Sequence, residues 1–560
     1  MVSGSRLLAG CVLAALLTTA AGAQPFPPSQ FPDRLRERFA EPPAPLAQPG
    51  GAVVTLPSTV APKGAEKVMV RVRGVHIVGS TVYGPQEFAP LYDELIDESV
   101  PLTAIYELAQ HITAKYGSDG YVLSRAIVPP QQLDPKGAVV QIEVVEGYID
   151  KVEWPPVLSR YRDFFSHYAA QIIAQRPANI RTIERYLLLA GDLPGLKFTT
   201  SLRPSKHTPA AATLVVEVAA KPIDANAHID NRGTPERGPF EYYGSVTFNN
   251  PTGWHQALTF TYAGVVPLKE LNFAAFNYRQ VLTAEGFSFF ADGSYAWGAP
   301  GTVQLETLQN RTLGPAGDAG FAYPFIRSRE RNLTLTALGF ASDNESNMLG
   351  APFNDDRLRG TRVRVDADFA DQFQGINQFY AVFSHGIDGL GSTSNDNLLA
   401  SHPGGRVDFS KIEMFFGRTQ PLFGDFSVYG AIYAQDAFTP LLVPEQCGYG
   451  GRFFGRAFDP SQLLGDSCIE ASDELRYDIR KPPPWMLGLT QDQLYGFVDW
   501  GELYTRGTVF APASMVDGAS AGVGIRLSWI NHIDADLCFA KAIEGQGSDR
   551  RFFFIVSARY

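Results

Sequence analysis

The sequence predicts a mostly β protein in which a 16-stranded transmembrane β-barrel follows two α+β domains. Apolar residues recur at helical spacing only in residues 67–221, where one order of strands and helices occurs twice. In residues 222–560 apolar and polar residues alternate instead, which is the period of a β-strand. The connections between these alternating stretches are short and long in turn, as in barrels that cross a membrane.

The composition argues against one class of function, nucleic-acid binding. Whether the chain is a membrane protein is decided by the order of apolar and polar residues and not by their amounts. A hydrophobic content of 45%, with 12% aromatic and 19% charged residues, is ordinary for a soluble protein. Beyond the N-terminus no run of eighteen apolar residues occurs, so no transmembrane helix is predicted. A net charge of -11 without a basic cluster argues against nucleic-acid binding.

Residues 1–66 are predicted to be targeting and linker sequence. Residues 1–23 combine Arg6, an apolar stretch and a small-residue site at Ala21, the pattern of a secretory signal peptide. Residues 24–66 are rich in proline and form a linker, except for the charged residues 31–39, which are long enough for two or three helical turns.

Residues 67–148 and 149–221 are predicted to be the two α+β domains. In each, a strand precedes two helices and two further strands. The second helix of each domain carries an apolar stripe that would pack on a small sheet. The stripes are Ile105, Leu108, Ala109 and Ile112 in the first domain, and Ile183, Tyr186, Leu187 and Ala190 in the second.

Residues 222–560 are predicted to form the barrel. One strand places Phe240, Val246 and Phe248 on a face that would meet lipid. Another places Arg362, Arg364, Asp366 and Asp368 on one face, which requires a wet interior. A soluble sandwich alternates in the same way, so a single strand is ambiguous. The division of residues 223–560 into sixteen strand candidates favours the barrel, because a membrane strand needs about 9 to 11 residues.

The predicted connections alternate in length. Short turns are expected near residues 372–375, 419–424 and 531–532, and long loops near residues 342–356, 389–404 and 438–472. Short turns on one side and long loops on the other are typical of outer-membrane barrels.

The longest loop contains a glycine- and aromatic-rich segment centred on Arg456. A guanidinium among glycines can enter a cavity and hold one carboxylate bidentately. Asp499 interrupts an aromatic strand, so it must face water or a partner. We predict that Arg456 pairs with Asp499 in the lumen, although a surface loop with a solvated arginine is the alternative. Glu502 would then point outward, which implies either a bulge at this position or a location near the membrane interface.

Cysteines flank this segment. Cys447 and Cys468 lie on either side of Arg456, and in an oxidising compartment they are a candidate disulfide.

Parts of the chain resemble the two-partner secretion transporters (TpsB family), which are related to the assembly pore BamA. Residues 116–121 and 129–131 resemble a POTRA domain of that family, and residues 145–149 join it to a second copy. The family's sixth surface loop folds back into the barrel, and an aspartate on the following strand pair receives its arginine. The matching residues are Gly455, Arg456, Phe458 and Asp459 in the loop, and Phe497, Asp499 and Gly501 in the strand. Where the family has glycine after the arginine, this chain has Ala457.

The resemblance implies a bacterial outer-membrane pore with its POTRA domains in the periplasm. Its partner would be one large secreted exoprotein, TpsA-like and of the adhesin or haemolysin kind, exported without nucleotide hydrolysis. Residues 31–39 would be either a helix that plugs the pore or a disordered leader. The alternatives are a BamA-like insertase, which typically has more POTRA domains, and a passive solute porin, which needs none.

The last strand resembles the signal by which the barrel assembly machinery recognises outer-membrane proteins, which implies that machinery and outer-membrane lipid as further partners. The outward residues of this strand are Phe552, Phe554, Val556 and Tyr560. No catalytic motif, metal-ligand spacing or phosphate-binding loop occurs, so no enzyme, cofactor, metal or nucleic-acid partner is predicted.

Overall fold

The computed structural model describes residues 44–50, 60–134, 136–206, 208, 210–480, 489–530 and 532–560. The predicted signal peptide at 1–23 and the charged segment at 31–39 lie outside the described residues. Within those residues, no helix is long and apolar enough to cross a bilayer.

The first α+β domain is a four-stranded sheet covered by two helices. Its elements are β1 (Met69–Val78), α1 (Pro85–Tyr92), β2 (Ser99–Pro101), α2 (Leu102–Ser118), β3 (Arg125–Ile127) and β4 (Ala138–Val145). The sheet order is β2-β1-β4-β3, with β1 and β4 parallel. The predicted stripe on α2 is buried throughout, as expected. The strand β3 begins only at Arg125, because the Tyr121 N–H donates to the Tyr116 carbonyl and closes the end of α2.

The second domain repeats this arrangement without a counterpart of β2. Its elements are β5 (Tyr148–Glu153), α3 (Arg162–Ala174), α4 (Ile180–Gly191), β6 (Leu196–Pro204) and β7 (Ala211–Ala220). The sheet order is β5-β7-β6, with β5 parallel to β7. Three of the four predicted stripe residues of α4 are buried, but Leu187 is only partly buried and Leu189 takes the central position.

Sixteen antiparallel strands then close into a barrel, which confirms the predicted fold class and strand number. They are β8 (Ile223–Asp230), β9 (Phe240–Asn249), β10 (Gln256–Val266), β11 (Asn272–Val281), β12 (Ser288–Gly298), β13 (Arg311–Arg327), β14 (Arg331–Met348), β15 (Ala351–Ala370), β16 (Ile376–Gly386), β17 (Ser410–Pro421), β18 (Phe426–Ala437), β21 (Ser467–Ile479), β22 (Leu489–Thr505), β23 (Ser514–Trp529), β24 (Ile533–Glu544) and β25 (Arg551–Arg559). Pairing of β25 with β8 completes the ring. A short helix, α5 (Val303–Thr307), lies in the connection between β12 and β13.

The faces of the strands follow the predicted alternation. Phe240, Val246 and Phe248 are exposed on the outer face. On β15 the outward Val363 is exposed, whereas the neighbouring Arg362 binds a carboxylate of a loop inside the barrel.

Two predicted loop boundaries are wrong. Residues 342–356 are not a long loop, because β14 and β15 continue to a two-residue turn at Leu349 and Gly350. Their polar residues pair across the hairpin, as in the contact of 2.6 Å between Asp343 and Arg359. The loop predicted at 438–472 ends at residue 466, since β21 begins at Ser467 and pairs with β18. In the first place a run of polar residues belongs to a paired strand, and in the second the inward Glu470 and Ser472 of β21 are buried.

The second α+β domain is docked on the periplasmic turns of the barrel. Arg327, at the end of β13, donates two hydrogen bonds to the Asp192 carboxylate, of 2.7 and 2.8 Å. Glu285, in the turn between β11 and β12, accepts hydrogen bonds from Arg185 at 3.1 Å and from Tyr186 at 3.0 Å. These contacts set the position of the domain below the opening of the barrel.

Candidate functional site

The loop at residues 438–466, between β18 and β21, folds back into the barrel. It contains a small hairpin made of β19 (Cys447–Tyr449) and β20 (Leu463–Gly465). Cys447 and Cys468 are joined by a disulfide, with Cα atoms 6.4 Å apart, so the hairpin is covalently attached to the start of β21. The segment that connects the two strands of the hairpin, residues 450–462, contains Arg456.

Arg456 and Asp499 are held together in a buried pocket. Arg456 is 4% exposed and Asp499 is fully buried. The Arg456 backbone N–H and Nε each donate to Asp499 Oδ2 at 3.0 Å, and one terminal nitrogen donates to Oδ1 at 2.7 Å. One carboxylate therefore holds both the side chain and the main chain of the loop at this point.

The same guanidinium has further partners that the sequence analysis missed. It donates to Glu474 Oε1 at 2.5 Å and to Ser472 Oγ at 2.9 Å. It also lies over the Phe497 ring, 3.5 Å from its centroid. Ser472 was assigned to the loop rather than to β21. The alternation of Ser472 and Glu474 with Ala471 and Asp473 was the available signal for an inward face.

Opposite charges balance around this pocket. Glu474 also accepts from Arg476 at 2.7 Å and from Arg526 at 3.0 Å. Arg526 in turn lies 3.6 Å from the carboxylate of Asp536. Three guanidinium groups thus meet the carboxylates of Asp499, Glu474 and Asp536. A balanced network of this kind is what permits ionised groups to be buried.

Two glycines make room for the Tyr449 ring of the loop, one within the loop itself and one on β22 of the wall. Gly455 has φ +68, and a Cβ there would lie 2.6 Å from the Tyr449 ring. A Cβ on Gly501 would lie 2.4 Å from the same ring. Tyr449 is itself fully buried, so it cannot move aside into solvent. Ala457 is not among the described residues with positive φ, so the departure from the family's glycine causes no backbone strain.

The remaining predicted residues of the motif lie outside the Arg456 pocket. Phe458 is buried, with its ring 5.1 Å from that of Tyr449 in the same loop. Asp459 binds Arg551 of β25 at 2.5 Å. The motif segment therefore contacts β22 through Arg456 and β25 through Asp459.

The strand β22 has the predicted register. Phe497 and Asp499 face inward, whereas Val498 is 53% exposed on the outer face. Glu502 lies on the outer face near the extracellular end of β22, and the pairing with β21 and β23 continues through it without a bulge. Of the two explanations considered for Glu502, the bulge is wrong.

The four residues predicted as an insertion signal lie apart from this pocket. Phe552, Val556 and Tyr560 are exposed, and Phe554 is partly buried on the same outer face of the last strand. Among the described residues, no group of histidine, cysteine, aspartate and glutamate side chains is arranged to hold a metal ion. The pocket is suited to holding a loop in place.

Comparison with known proteins identifies similar chains. A family model described as haemolysin secretion/activation protein ShlB/FhaC/HecB matches residues 213–527. A second, described as POTRA domain, ShlB-type, matches residues 70–147.

Two curated relatives illustrate the similarity. The outer membrane transporter CdiB of Dickeya dadantii is 21% identical over 470 residues, which cover 82% of this chain and 81% of that protein. The heme/hemopexin transporter protein HuxB of Haemophilus influenzae is 23% identical over 382 residues, which cover 68% of this chain and 64% of that protein, a little under two thirds.

Two solved structures share the fold. CdiB from Escherichia coli matches with a TM-score of 0.68 at 17% identity, covering 100% of this chain and 99% of that one. CdiB from Acinetobacter baumannii matches with a TM-score of 0.60 at 14% identity, covering 99% and 98%.

Proposed function

The chain belongs to the haemolysin secretion/activation protein family ShlB/FhaC/HecB, and from this membership we propose that it exports one large exoprotein of the adhesin or haemolysin kind by two-partner secretion. It is an outer-membrane protein-secretion pore with POTRA domains in the periplasm. The observation that carries the proposal is the loop at residues 438–466, held inside the closed barrel through Arg456 and Asp499.

The POTRA domains are proposed to capture the exoprotein. Each small sheet has open edges, and an unfolded chain can add a strand to such an edge through main-chain hydrogen bonds. Because these bonds involve the backbone, they suit an unfolded substrate of almost any sequence. The docking of Asp192 on Arg327 keeps the second domain next to the barrel opening, so captured chain is delivered to the lumen.

Passage through the barrel needs no catalytic group. The inward faces of the strands are polar, so an extended chain crosses without contact with lipid. Folding of the exoprotein outside then makes the movement irreversible, without a nucleotide or another cofactor. In this scheme Arg456 and Asp499 hold the loop in its export-competent position.

The other proposed partners act during assembly of the pore. The outward residues Phe552, Phe554, Val556 and Tyr560 would be recognised by the barrel assembly machinery and then contact lipid. Neither an insertase nor a solute porin is favoured, because the family model matches most of the barrel and the POTRA domain model is of the ShlB type.

Deletion of the first POTRA domain tests the proposal. Removing residues 67–147 leaves β5, the first strand of the second domain, in place. Co-expressed with a candidate exoprotein of the adhesin or haemolysin kind that the full chain exports, this variant should insert into the outer membrane and export no exoprotein. Insertion is checked by the heat-modifiable migration typical of folded barrels. Unchanged exoprotein in the medium would refute the proposed capture step.

A further inference from the structure

The loop at residues 438–466 has a second ion-pair contact with the barrel wall, besides the one at Arg456. The signs of the charges on loop and wall are reversed there. Glu445 lies in a short 3-10 turn, Val443–Glu445, on the leg that descends into the barrel, and it is 4% exposed. At Arg456 the loop supplies a cation to carboxylates of the wall. At Glu445 the loop supplies a carboxylate to cations of the wall.

Three strands contribute to the Glu445 pocket. Arg362 of β15 donates to Glu445 Oε1 at 2.6 Å. Lys411 of β17 lies 2.9 Å from Oε2 and also donates to the Glu445 carbonyl at 2.9 Å. Gln435 of β18 donates to the same carbonyl at 3.1 Å. Both the side chain and the main chain of Glu445 are therefore bound, as at Arg456.

Further contacts make residues 438–449 a closed unit, here called the loop base. Asp466 is fully buried and accepts hydrogen bonds from the Leu441 N–H at 2.9 Å and from the Gln446 amide at 3.1 Å. The disulfide from Cys447 to Cys468 then ties the base to β21.

The segment that connects β19 to β20, residues 450–462 and here called the loop tip, forms its ion pairs with other strands of the wall. Its partners lie on β21 and β22 at Arg456 and on β25 at Asp459. The tip begins with Gly450 and Gly451, whose φ values of +118 and +121 favour glycine. The base is thus bound to β15, β17 and β18, and also to β21 through its disulfide and to β22 through Tyr449, whereas the tip is bound to β21, β22 and β25.

We propose that Glu445 is a positioning residue that holds the loop base independently of Arg456, so that breaking the Arg456 contacts frees only the loop tip. The inference rests on the proposed function in one respect, that loop movement accompanies export. In this arrangement the base stays against β15, β17 and β18, and its disulfide holds it to β21, while the tip moves on the hairpin of β19 and β20 that flanks it. The passage for the exoprotein is then opened by movement of about a dozen residues rather than of the whole loop.

Hydrogen–deuterium exchange of the purified full chain, read by mass spectrometry, tests this without an exoprotein. Arg456→Ala should raise exchange in residues 450–462 by about tenfold or more and leave residues 438–446 protected, because local opening reports the contacts of each segment. Glu445→Gln should do the reverse. The matched control is Glu413→Gln, which removes a wall carboxylate 3.7 Å from Lys411 and should change neither segment.

A second substitution removes the lysine that binds both the side chain and the main chain of Glu445. Lys411 lies 2.9 Å from the Glu445 carboxylate and donates to the Glu445 carbonyl at 2.9 Å. Lys411→Met should therefore deprotect residues 438–446 at least as much as Glu445→Gln and leave residues 450–462 protected. Unaltered exchange at 438–446 in Lys411→Met would overturn the assignment.

Two other results would also overturn it. Equal deprotection of both segments by Arg456→Ala would show that the loop opens as one unit, and unaltered exchange at 438–446 in Glu445→Gln would show that Glu445 holds nothing. Failure of the proposed function gives a different result. A chain that exports no exoprotein but shows two independently protected segments refutes the proposed export and not the role of Glu445.

Discussion

At Asp499 five donors converge on one buried carboxylate. Three come from Arg456, and the hydroxyls of Ser472 and Ser520 supply the others at 2.8 and 3.2 Å. The cost of burying two charges is offset only when such hydrogen bonds are complete. The pair therefore fixes the loop tip through geometry that neither a lysine in place of Arg456 nor a glutamate in place of Asp499 reproduces.

Replacement of either member should impair export. Breaking a buried pair typically costs about 3 to 5 kcal/mol, because one charge is left uncompensated. Arg456→Ala and Asp499→Ala should each reduce exoprotein in the medium strongly while the barrel stays inserted. The double variant should be little worse than either single one, since the two share one interaction. Additive losses would mean that the residues act separately. Glu502→Ala, on the outer face of the same strand, is the control and should export normally.

Gly501 offers a test that changes no charge. A methyl group there would overlap the Tyr449 ring at the end of the loop base, so Gly501→Ala should displace the loop at Tyr449 at a cost of about 1 to 3 kcal/mol. Single-channel conductance in planar bilayers should rise as the lumen becomes less filled. Gly496→Ala, on the same strand, meets nothing closer than 3.8 Å and should conduct like the wild type. Equal conductance of both variants would show that the position of the loop does not depend on this close contact.

At the scale of elements, polar residues decide where strands end. The β14 and β15 hairpin continues past residue 342 because its charged side chains pair across the two strands. Isolated polar stretches of this kind are typical of loops, and only the partner strand makes them part of a sheet. The same holds for β21, whose first inward residues bind the loop rather than water.

The docking of the second POTRA domain should depend on pH through Glu285. Burial raises the pKa of Glu285, but hydrogen bonds from Arg185, His167 and Tyr186 outweigh it, so the pKa lies below its usual value of 4.5. A carboxyl group with a lowered pKa stabilises the docked state above its ordinary pKa. That stabilisation is lost as the pH falls through the lowered pKa. Docking should therefore be intact at neutral pH and weaken below about pH 4.5.

Spin labels on cysteines introduced at Ser201 and Gln374, both exposed, can measure this as a distance between the domain and a periplasmic turn. The distance distribution should be narrow at neutral pH and broaden in acid. Glu285→Gln should broaden it at neutral pH as well, whereas Glu217→Gln, on an exposed position of β7, should not. A distribution that is the same at both pH values would exclude Glu285 as a docking contact.

At the scale of the whole molecule, two segments of the described chain other than the wall strands contact the barrel from the inside or at its opening. Besides the loop at 438–466, residues 44–50 run past the periplasmic opening, where the Ala47 N–H donates to Asp368 at 2.5 Å and the Gln48 N–H donates to the Arg329 carbonyl at 2.8 Å. Residues 31–39, the predicted plug helix or leader, stand just before this passage in the sequence.

Removal of residues 24–40 should raise single-channel conductance if the segment fills the lumen. A barrel of sixteen strands encloses an aqueous channel, so any segment that leaves it uncovers a path for ions. The measurement compares the truncated and full chains in planar bilayers, with Arg456→Ala as a reference for opening from the other side. Identical conductance would assign the segment as a disordered leader.

The amino-acid sequence alone determined the alternation that gives sixteen strands and the two repeated α+β domains, and it predicted the pairing of Arg456 with Asp499 against the alternative of a solvated loop arginine. Each follows from a local period or from a charged residue on an otherwise apolar strand, where burial demands a partner. The tertiary structure decided the ends of β14 and β21, the roles of Glu474, Glu445 and Asp459, and the docking through Glu285. These contacts depend on which side chains a closed barrel brings opposite one another. Arg362 meets Glu445, and Arg185 meets Glu285, only once the ring has closed.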